Sequence, residues 1–262
     1  MRPSFCSLAR PYLAAIVQES TADATISAII NSEHDGAQGF MVALHSLQDA
    51  ERTPENLRRI FHCSGRPMMP LVYRNSVMTA DRFTDDARVE LMMQALEAGA
   101  AACDIMGDLF DPSPRELTRN PEAIARQKEL IDRIHAMGGE ALISSHMAEP
   151  RKAEEVLEHL QRQQERGADI VKIVVTCDTD EEFAESVRTT LLLKKELKVP
   201  FVHLCNGRYA RLQRYVAPAL GATLTFGMRD AMAAQPTLIT ARPVLHELTW
   251  HMNYPDDSAD IR

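Results

Sequence analysis

Eight short apolar segments alternate with eight amphipathic segments along this sequence of 262 residues, and this alternation limits the folds open to the chain. The predicted strands are 12–17, 39–44, 68–73, 101–106, 140–145, 167–175, 199–204 and 222–226. Repeated units of strand, short connection and helix favour a parallel sheet. Eight such units in a chain of this length favour an α/β fold closed into a (β/α)8 TIM barrel, so we predict one domain over residues 1–262. No glycine-rich phosphate fingerprint follows the first strand, which counts against an open nucleotide-binding sheet.

The segments between the strands carry the signals of helices. The predicted helices include 23–32, 53–61, 87–98, 121–137 and 244–250. Thr179 with Glu182 three residues later predicts a capping box at the start of the sixth helix. A loop over 206–214 is predicted to precede a short seventh helix. The apolar faces of the first and sixth helices are predicted to carry Ile26, Ile29 and Ile30, and Phe183, Val187 and Leu191.

The sixth predicted strand holds a single lysine, Lys172, within the β-branched run 167–175. Because polar and apolar residues do not alternate around it, we expect this strand to be buried on both faces. Desolvation disfavours the charged form of a buried ammonium, which then becomes an amine able to attack a carbonyl carbon. The sequence therefore predicts Schiff-base chemistry at Lys172. In the alternative, Lys172 lies at a strand end and either reaches water or pairs with a carboxylate.

Composition indicates a small-molecule partner and a reducing compartment. A formal net charge of −8 and a pI near 5.6 argue against a nucleic-acid surface. The cysteines are Cys6, Cys63, Cys103, Cys177 and Cys205. Because they are odd in number and lack a CxxC spacing, we expect reduced thiols, no metal site and no cofactor. Residues 1–20 lack the pattern of a signal peptide and no stretch is apolar enough to span a membrane, so we expect a cytoplasmic protein.

Further polar residues are predicted at the carboxyl ends of strands, where barrel enzymes carry their active sites. His146 ends strand five, beside strand six, so its imidazole is expected to converge with Lys172 and move protons. The alternative is that His146 caps the following helix. Arg74 ends strand three and Arg214 lies just past strand seven. Together they predict an anionic substrate group, since a guanidinium matches a carboxylate, although each alone is more often part of a surface ion pair.

Several of these segments resemble the type I 3-dehydroquinate dehydratases, and the resemblance covers nearly the whole chain. The run 167–175 is similar to that family's lysine strand. The triplet Ser144-Ser145-His146 resembles its Ser-aromatic-His motif, and the stretch 220–227 resembles its strand-eight end. This resemblance implies a TIM-barrel lyase of the shikimate pathway, which serves aromatic amino acid biosynthesis.

The resemblance also implies a role for each candidate residue. Lys172 matches the lysine that forms the imine with the substrate ketone, and His146 matches the general acid and base. Arg74 falls on the family's strand-three arginine, and Arg214 on the arginine that holds the substrate carboxylate. Since relatives of this type commonly pair, the resemblance implies a homodimer as well.

The sequence departs from the family pattern mainly at polar positions. Met41 and Ala43 stand where the family has a glutamate and an arginine, and Met78 stands at a second family glutamate. Leu238 falls on a glutamine that contacts ring hydroxyls. The substrate of the lyase is then either dehydroquinate itself or a carboxylate-bearing ketone with fewer hydroxyls, cyclic or β-hydroxy, and we expect poor turnover of dehydroquinate. The residues that could restore polar contacts are His45, Asp108, Gln213 and Gln235.

Two other functions remain open from the sequence. A Schiff-base aldolase acting on a keto acid would use the same lysine and break a carbon–carbon bond instead. A non-catalytic, metabolite-binding regulatory protein would need neither Lys172 nor His146, so the presence of both counts against it.

Overall fold

The computed structural model describes residues 2–7, 11–74, 83–230 and 235–249. In these ranges eight strands alternate with eight α-helices, which confirms the predicted order of elements. The strands are β1 (Tyr12–Val17), β2 (Gly39–Ala43), β3 (Met68–Leu71), β4 (Ala102–Met106), β5 (Glu140–His146), β6 (Ile170–Thr176), β7 (Phe201–Asn206) and β8 (Leu224–Gly227). The helices are α1 (Ala22–His34), α2 (Pro54–Phe61), α3 (Asp85–Glu97), α4 (Pro121–Ala136), α5 (Ala153–Gln164), α6 (Asp180–Glu196), α7 (Ala210–Ala219) and α8 (Leu238–Thr249). None of the described helices is both long and apolar enough to cross a membrane.

The strands form two parallel ladders of four, in the orders β3-β2-β1-β8 and β4-β5-β6-β7. Backbone hydrogen bonds join the two ladders at both seams. At the seam between β3 and β4, Ala101 N donates to Met68 O over 2.7 Å. At the other seam Thr223 N donates to Phe201 O over 2.8 Å. Both bonds lie at the amino ends of the strands, opposite the end where the candidate residues lie. The chain is therefore the predicted (β/α)8 barrel.

Side chains from all eight strands meet in one apolar cluster inside the barrel. Its members include Tyr12, Met41, Met69, Ala102, Leu142, Ile170, Val202 and Leu224. Alternate side chains on the same strands pack outward beneath the helices. In β6, Val174 belongs to the inner cluster while Ile173 and Val175 belong to the outer one. The predicted burial of this strand on both faces is therefore confirmed.

Two predicted helix faces are wrong in part, because Ile30 and Leu191 are 52% and 49% exposed. Helix α6 instead buries Ser186, Thr190 and Leu193 against the barrel. The Thr190 hydroxyl donates to the Ser186 carbonyl over 2.9 Å, so burying it leaves no unpaired donor. A hydroxyl that is satisfied within the helix thus allows Thr190 to occupy a face that periodicity assigned to leucine, whereas the Ser186 hydroxyl is buried without a hydrogen-bond partner among the described residues.

The connection after β7 is shorter than predicted, and this moves Arg214 onto a helix. Gly207 has a φ of +90°, which turns the chain directly after the strand. A Cβ at this position would lie 2.4 Å from Oδ1 of Asp178, so the turn also depends on the missing side chain. Helix α7 therefore begins at Ala210, and Arg214 lies in its second turn rather than in a loop.

Strand β3 is also shorter than predicted. It ends at Leu71, so Arg74 lies in the following connection rather than at the strand's last position. The Val72 carbonyl, which would continue the ladder, accepts a hydrogen bond of 3.0 Å from Nη1 of the buried Arg88. A side chain has therefore replaced the neighbouring strand as the partner of this backbone group. The capping box of Thr179 at the start of α6 is confirmed.

Candidate active site

Lys172 lies in the middle of β6 and points into the barrel. Its side chain is only 7% exposed, and Nζ lies 3.5 Å from Oδ2 of Asp104 on β4. The rings of Phe226 and Tyr73 have their centroids 5.4 and 5.9 Å from Nζ. The lysine is thus buried, as the first interpretation requires, and paired with a carboxylate, as the alternative allowed. Asp104 is a site residue that the sequence analysis missed.

A chain of hydroxyl groups extends from Asp104 towards the mouth of the barrel. The Ser144 hydroxyl donates to Oδ1 of Asp104, and the Tyr73 hydroxyl is hydrogen-bonded to the Ser144 oxygen. Because the single Ser144 proton is directed to Asp104, Tyr73 is the donor to Ser144. Burial, reinforced by the negative charges of Asp104 and Glu116, raises the pKa of Tyr73 well above its usual value. The phenol therefore stays protonated.

His146 ends β5 and lies beside the same group of residues. Its ring meets the Tyr73 ring edge-on at a centroid distance of 4.8 Å, so Tyr73 contacts both His146 and Lys172. Burial and the neighbouring Lys172 charge lower the pKa of His146, while Glu116 and Asp104 partly offset this effect. The imidazole is therefore neutral at pH 7 and can accept a proton. The structure thus brings His146 and Lys172 together around the Tyr73 ring.

A second residue that sequence reasoning missed holds this imidazole. Oε2 of Glu116 accepts a hydrogen bond of 2.8 Å from the His146 backbone N–H and lies 3.1 Å from Nδ1 of the ring. Glu116 belongs to the connection between β4 and α4, which has no periodic pattern to indicate a role. It was therefore invisible to an argument from strands and helices.

Arg74 and Arg214 have different surroundings. Nη1 of Arg74 lies 2.9 Å from Oδ1 of Asp108, and Nη2 lies 3.0 Å from Oδ2 of Asp85, so two carboxylates balance its charge. Arg214 is 2% exposed, and its Nη2 donates to Oδ1 of Asn206 over 3.3 Å. Substrate binding by Arg74 stays a prediction, and its carboxylate partners argue for a structural contribution.

The Arg214 guanidinium has unused hydrogen-bonding capacity. Its Nε and Nη1 are buried and have no hydrogen-bond partner among the residues that the structure describes. Burial lowers the pKa of Arg214 to about 10. A buried cation with unpaired donors is costly, and an anion beside it would supply the missing acceptor. Because Asn206 is the last residue of β7, the guanidinium lies near the carboxyl end of that strand.

The remaining sequence candidates fall in two layers. Met41 lies in the inner cluster, as expected for a wall of the site, and Ala43 is buried at the end of β2. Leu238 begins α8 and packs in the outer cluster, so its predicted place in the substrate wall is wrong. The physical reason is the early start of α8, which turns Leu238 towards Gly227. A Cβ added at Gly227 would lie 2.9 Å from the Leu238 side chain. Met78 lies outside the described residues.

The four residues suggested as new polar contacts differ in their hydrogen-bond partners. The Gln213 amide bonds the backbone of β7, with Nε2 donating to His203 O over 2.9 Å, so it supports the strand instead of a ligand. Asp108 is paired with Arg74. His45 Nε2 and Gln235 Oε1 are buried and lack a hydrogen-bond partner within the described ranges. In the same ranges, no group of three His, Cys, Asp or Glu side chains could hold a metal ion.

Comparison with known proteins shows which family this chain resembles. The chain matches the family model for type I 3-dehydroquinase over residues 19–253. A relative from Alkaliphilus oremlandii, a 3-dehydroquinate dehydratase, is 30% identical over 109 residues, which are 41% of this chain and 43% of the relative. The chain thus matches less than half the length of this curated relative.

Solved structures share the fold over a longer stretch. The 3-dehydroquinate dehydratase from Geobacillus kaustophilus superposes with a TM-score of 0.79 at 15% identity, covering 92% of each chain. The type I 3-dehydroquinate dehydratase from Clostridium difficile with covalent modified comenic acid gives a TM-score of 0.73 at 18% identity, covering 91% of this chain and 92% of that one. At these identities the structural likeness establishes the fold alone. Because the family model extends over most of the sequence, this chain belongs to the type I 3-dehydroquinase family.

Proposed function

We propose that this protein is a Schiff-base lyase that dehydrates a carboxylate-bearing β-hydroxy ketone. The observation that carries the proposal is Lys172, buried inside the barrel against Asp104, with the neutral imidazole of His146 beside it. The dehydratase names of the family relatives support the reaction class. The covalent modified comenic acid in the Clostridium difficile relative supports a covalent step.

The proposed reaction begins when the imidazole of His146 takes a proton from Lys172 and the amine so formed adds to the ketone carbon. The imidazole returns this proton to the oxygen of the adduct, so that one water leaves and a protonated imine remains, whose charge Asp104 stabilises. The imidazole of His146 then removes the proton from the α-carbon. The β C–O bond breaks, and the same imidazole returns that proton to the departing oxygen, which leaves as water. Hydrolysis of the imine consumes one water, restores Lys172 and releases the unsaturated ketone.

The experiment that tests this proposal is trapping with borohydride. Protein incubated with 3-dehydroquinate, 3-dehydroshikimate or a simpler cyclic keto acid is reduced and weighed intact. A mass increase equal to the reduced imine, located on Lys172 by peptide mapping, supports the lyase. Product analysis then separates dehydration from carbon–carbon cleavage, which would indicate the aldolase. Binding of the keto acids without any adduct would favour the regulatory alternative.

We expect Arg214→Ala to weaken binding of the reactive keto acid by about 2–5 kcal/mol, as truncating one partner of a buried charge pair does. The reason is that a substrate carboxylate supplies the acceptor that Nε and Nη1 lack. Binding is measured by calorimetry, with Arg208→Ala as the control because Arg208 is exposed in the connection that precedes the helix of Arg214. Equal losses in both variants would indicate general electrostatics and contradict the specific role of Arg214.

We also expect dehydroquinate to be a poor substrate. Met41 and Phe226 belong to the inner cluster, with the Phe226 ring beside Lys172, and an apolar wall leaves ring hydroxyls without partners. Each such loss costs about 1–3 kcal/mol, so three would reduce turnover by about 10³-fold. Steady-state kinetics should give a specificity constant below about 10⁴ M⁻¹s⁻¹ for dehydroquinate and a higher one for a cyclic keto acid that has only the β-hydroxyl. The reverse order would mean that His45 or Gln235 supplies the hydroxyl contacts.

We also propose a compartment, a pathway and an oligomeric state for the protein. The free thiols of all five cysteines fit a reducing compartment, so we place the protein in the cytoplasm. Membership of the type I 3-dehydroquinase family favours a small-molecule substrate, a role in the shikimate pathway and a homodimer. Sedimentation at micromolar concentration tests the dimer, and a single monomeric species there would rule it out.

A further inference from the structure

We propose that Glu116 is the positioning residue of His146, holding the imidazole in the one tautomer that leaves Nε2 free to take the substrate proton. The effect on catalysis rests on the proposed function, whereas the effect on the imidazole itself does not. Glu116 does not come from the strands that carry Lys172 and His146. It comes from residues 107–120, the connection between β4 and α4, which we call the β4–α4 loop.

The geometry fixes which ring nitrogen carries the proton. One oxygen, Oε2 of Glu116, receives the backbone N–H of His146 and contacts Nδ1 of the same residue. An ionised carboxylate accepts hydrogen bonds and does not donate them. Nδ1 must therefore be protonated, and Nε2 keeps its lone pair. Because the backbone and the ring of His146 are held by the same atom, the ring cannot turn without losing a contact.

The β4–α4 loop is held firmly enough to make this contact specific. Arg166 is 5% exposed, and its Nη1 donates to Gly107 O over 2.6 Å while its Nη2 donates to Thr118 O over 2.6 Å. These bonds tie the two ends of the loop to one buried side chain. The Ser145 hydroxyl donates to the Glu116 carbonyl over 2.6 Å, so β5 anchors the residue itself.

The backbone of Glu116 provides independent support. Its φ is +46°, in the left-handed region that residues other than glycine seldom occupy. A Cβ at Gly107 would lie 2.3 Å from the Glu116 carbonyl oxygen, so Gly107 makes room for this conformation. An unfavourable conformation persists only where its surroundings determine it, and such residues cluster at functional sites. The carboxylate is delivered to His146 by a conformation that a relaxed loop would avoid.

Three charged neighbours affect the protonation of the imidazole, and a fourth residue packs against it. Lys172 favours the neutral ring, Glu116 and Asp104 favour the protonated ring, and the Tyr73 ring packs against it edge-on. Burial and Lys172 together prevail, so the ring is neutral before substrate arrives. Without Glu116, the opposing effect would be weaker and the ring would also be free to exchange tautomers.

The test uses Glu116→Ala and Glu116→Gln, with Glu122→Gln as the matched control on the exposed first turn of α4. Nitrogen NMR of the unliganded protein reports the tautomer and the pKa of His146, whose signal is identified by its absence from His146→Ala. In the wild type we expect a proton on Nδ1. In Glu116→Ala we expect a mixture of His146 tautomers and a lower pKa of His146. Glu116→Gln keeps a hydrogen-bond acceptor, so it should restore the Nδ1-protonated tautomer but leave the pKa of His146 lowered.

The effect of Glu116 on catalysis is measured with the keto acid that gives the borohydride adduct. Glu116→Ala should reduce kcat by about 10–10²-fold, a part of what a general base contributes, while the yield of trapped adduct stays within about twofold. Glu116→Gln should recover much of this loss. An unchanged tautomer and pKa in Glu116→Ala would overturn the proposal. If the wild type gives no adduct, the proposed function fails, and the NMR result still decides the role of Glu116.

Discussion

Lys172→Met should gain no mass on borohydride reduction with any keto acid, under conditions in which the wild type gains one equivalent. The imine requires the amine, and methionine has nearly the same length without a nucleophile. Turnover should fall to the detection limit. Because Lys172 contacts Asp104 at 3.5 Å and both are buried, the substitution leaves a carboxylate without its partner. Removing one member of a buried pair costs about 3–5 kcal/mol of stability, so folding must be measured as well.

Two controls separate loss of chemistry from loss of fold. Lys172→Met combined with Asp104→Asn removes both charges and should regain part of the stability while remaining unable to form the adduct. Lys195→Ala removes a lysine whose side chain is 79% exposed on α6 and should trap like the wild type. An adduct of full yield in the double variant would mean that another amine reacts, and it would contradict both the lyase and the aldolase.

His146→Ala should retain the adduct but lose turnover by about 10²–10⁴-fold, the usual contribution of a general acid and base. The amine remains in place in this variant, so slow imine formation with a normal final yield is expected. The measurement compares the trapped fraction at equilibrium with the steady-state rate. His62→Ala, on the exposed end of α2, serves as the control. A rate within a few-fold of the wild type would make His146 a structural residue.

The same imidazole should set the acid limb of the pH profile. Burial and the Lys172 charge lower the pKa of His146 from its ordinary value of 6.5. A base must be unprotonated to act, so activity should be retained at pH 6.5 and be lost only as the pH falls further. In His146→Ala this limb should be absent. A limb above pH 6.5 that persists in the variant would assign proton transfer to another group.

The sequence was sufficient for the barrel, for Lys172 and for His146, because each left a local signal. A strand has a period of two, so a lone lysine in an apolar run is visible, and so is a histidine where the run ends. Asp104 carries the same signal as Lys172, a single charge in the apolar segment 101–106, and could have been recognised by the same argument. A buried ammonium needs a counter-ion, and a lone aspartate in another buried strand is a natural partner for it.

Other features of the site depend on contacts that no local pattern encodes. Glu116 reaches His146 across thirty residues of sequence, from a loop with a left-handed residue. Gln213 was suggested as a polar contact because it precedes Arg214, but helix α7 starts earlier than expected and the Gln213 amide bonds the backbone of β7. Leu238 was misplaced for a similar reason, the early start of α8. Errors in element boundaries therefore became errors about which layer a side chain occupies.

The two ladders of the barrel carry different parts of the proposed site. Asp104, His146 and Lys172 belong to the ladder β4-β5-β6-β7. Met41 and Phe226, which we propose as the apolar wall, belong to the ladder β3-β2-β1-β8. A change of side chain at either position leaves unaltered the strands that carry the three reacting groups. Such a scaffold can acquire a new substrate by drift in one half while the other half keeps an old mechanism intact.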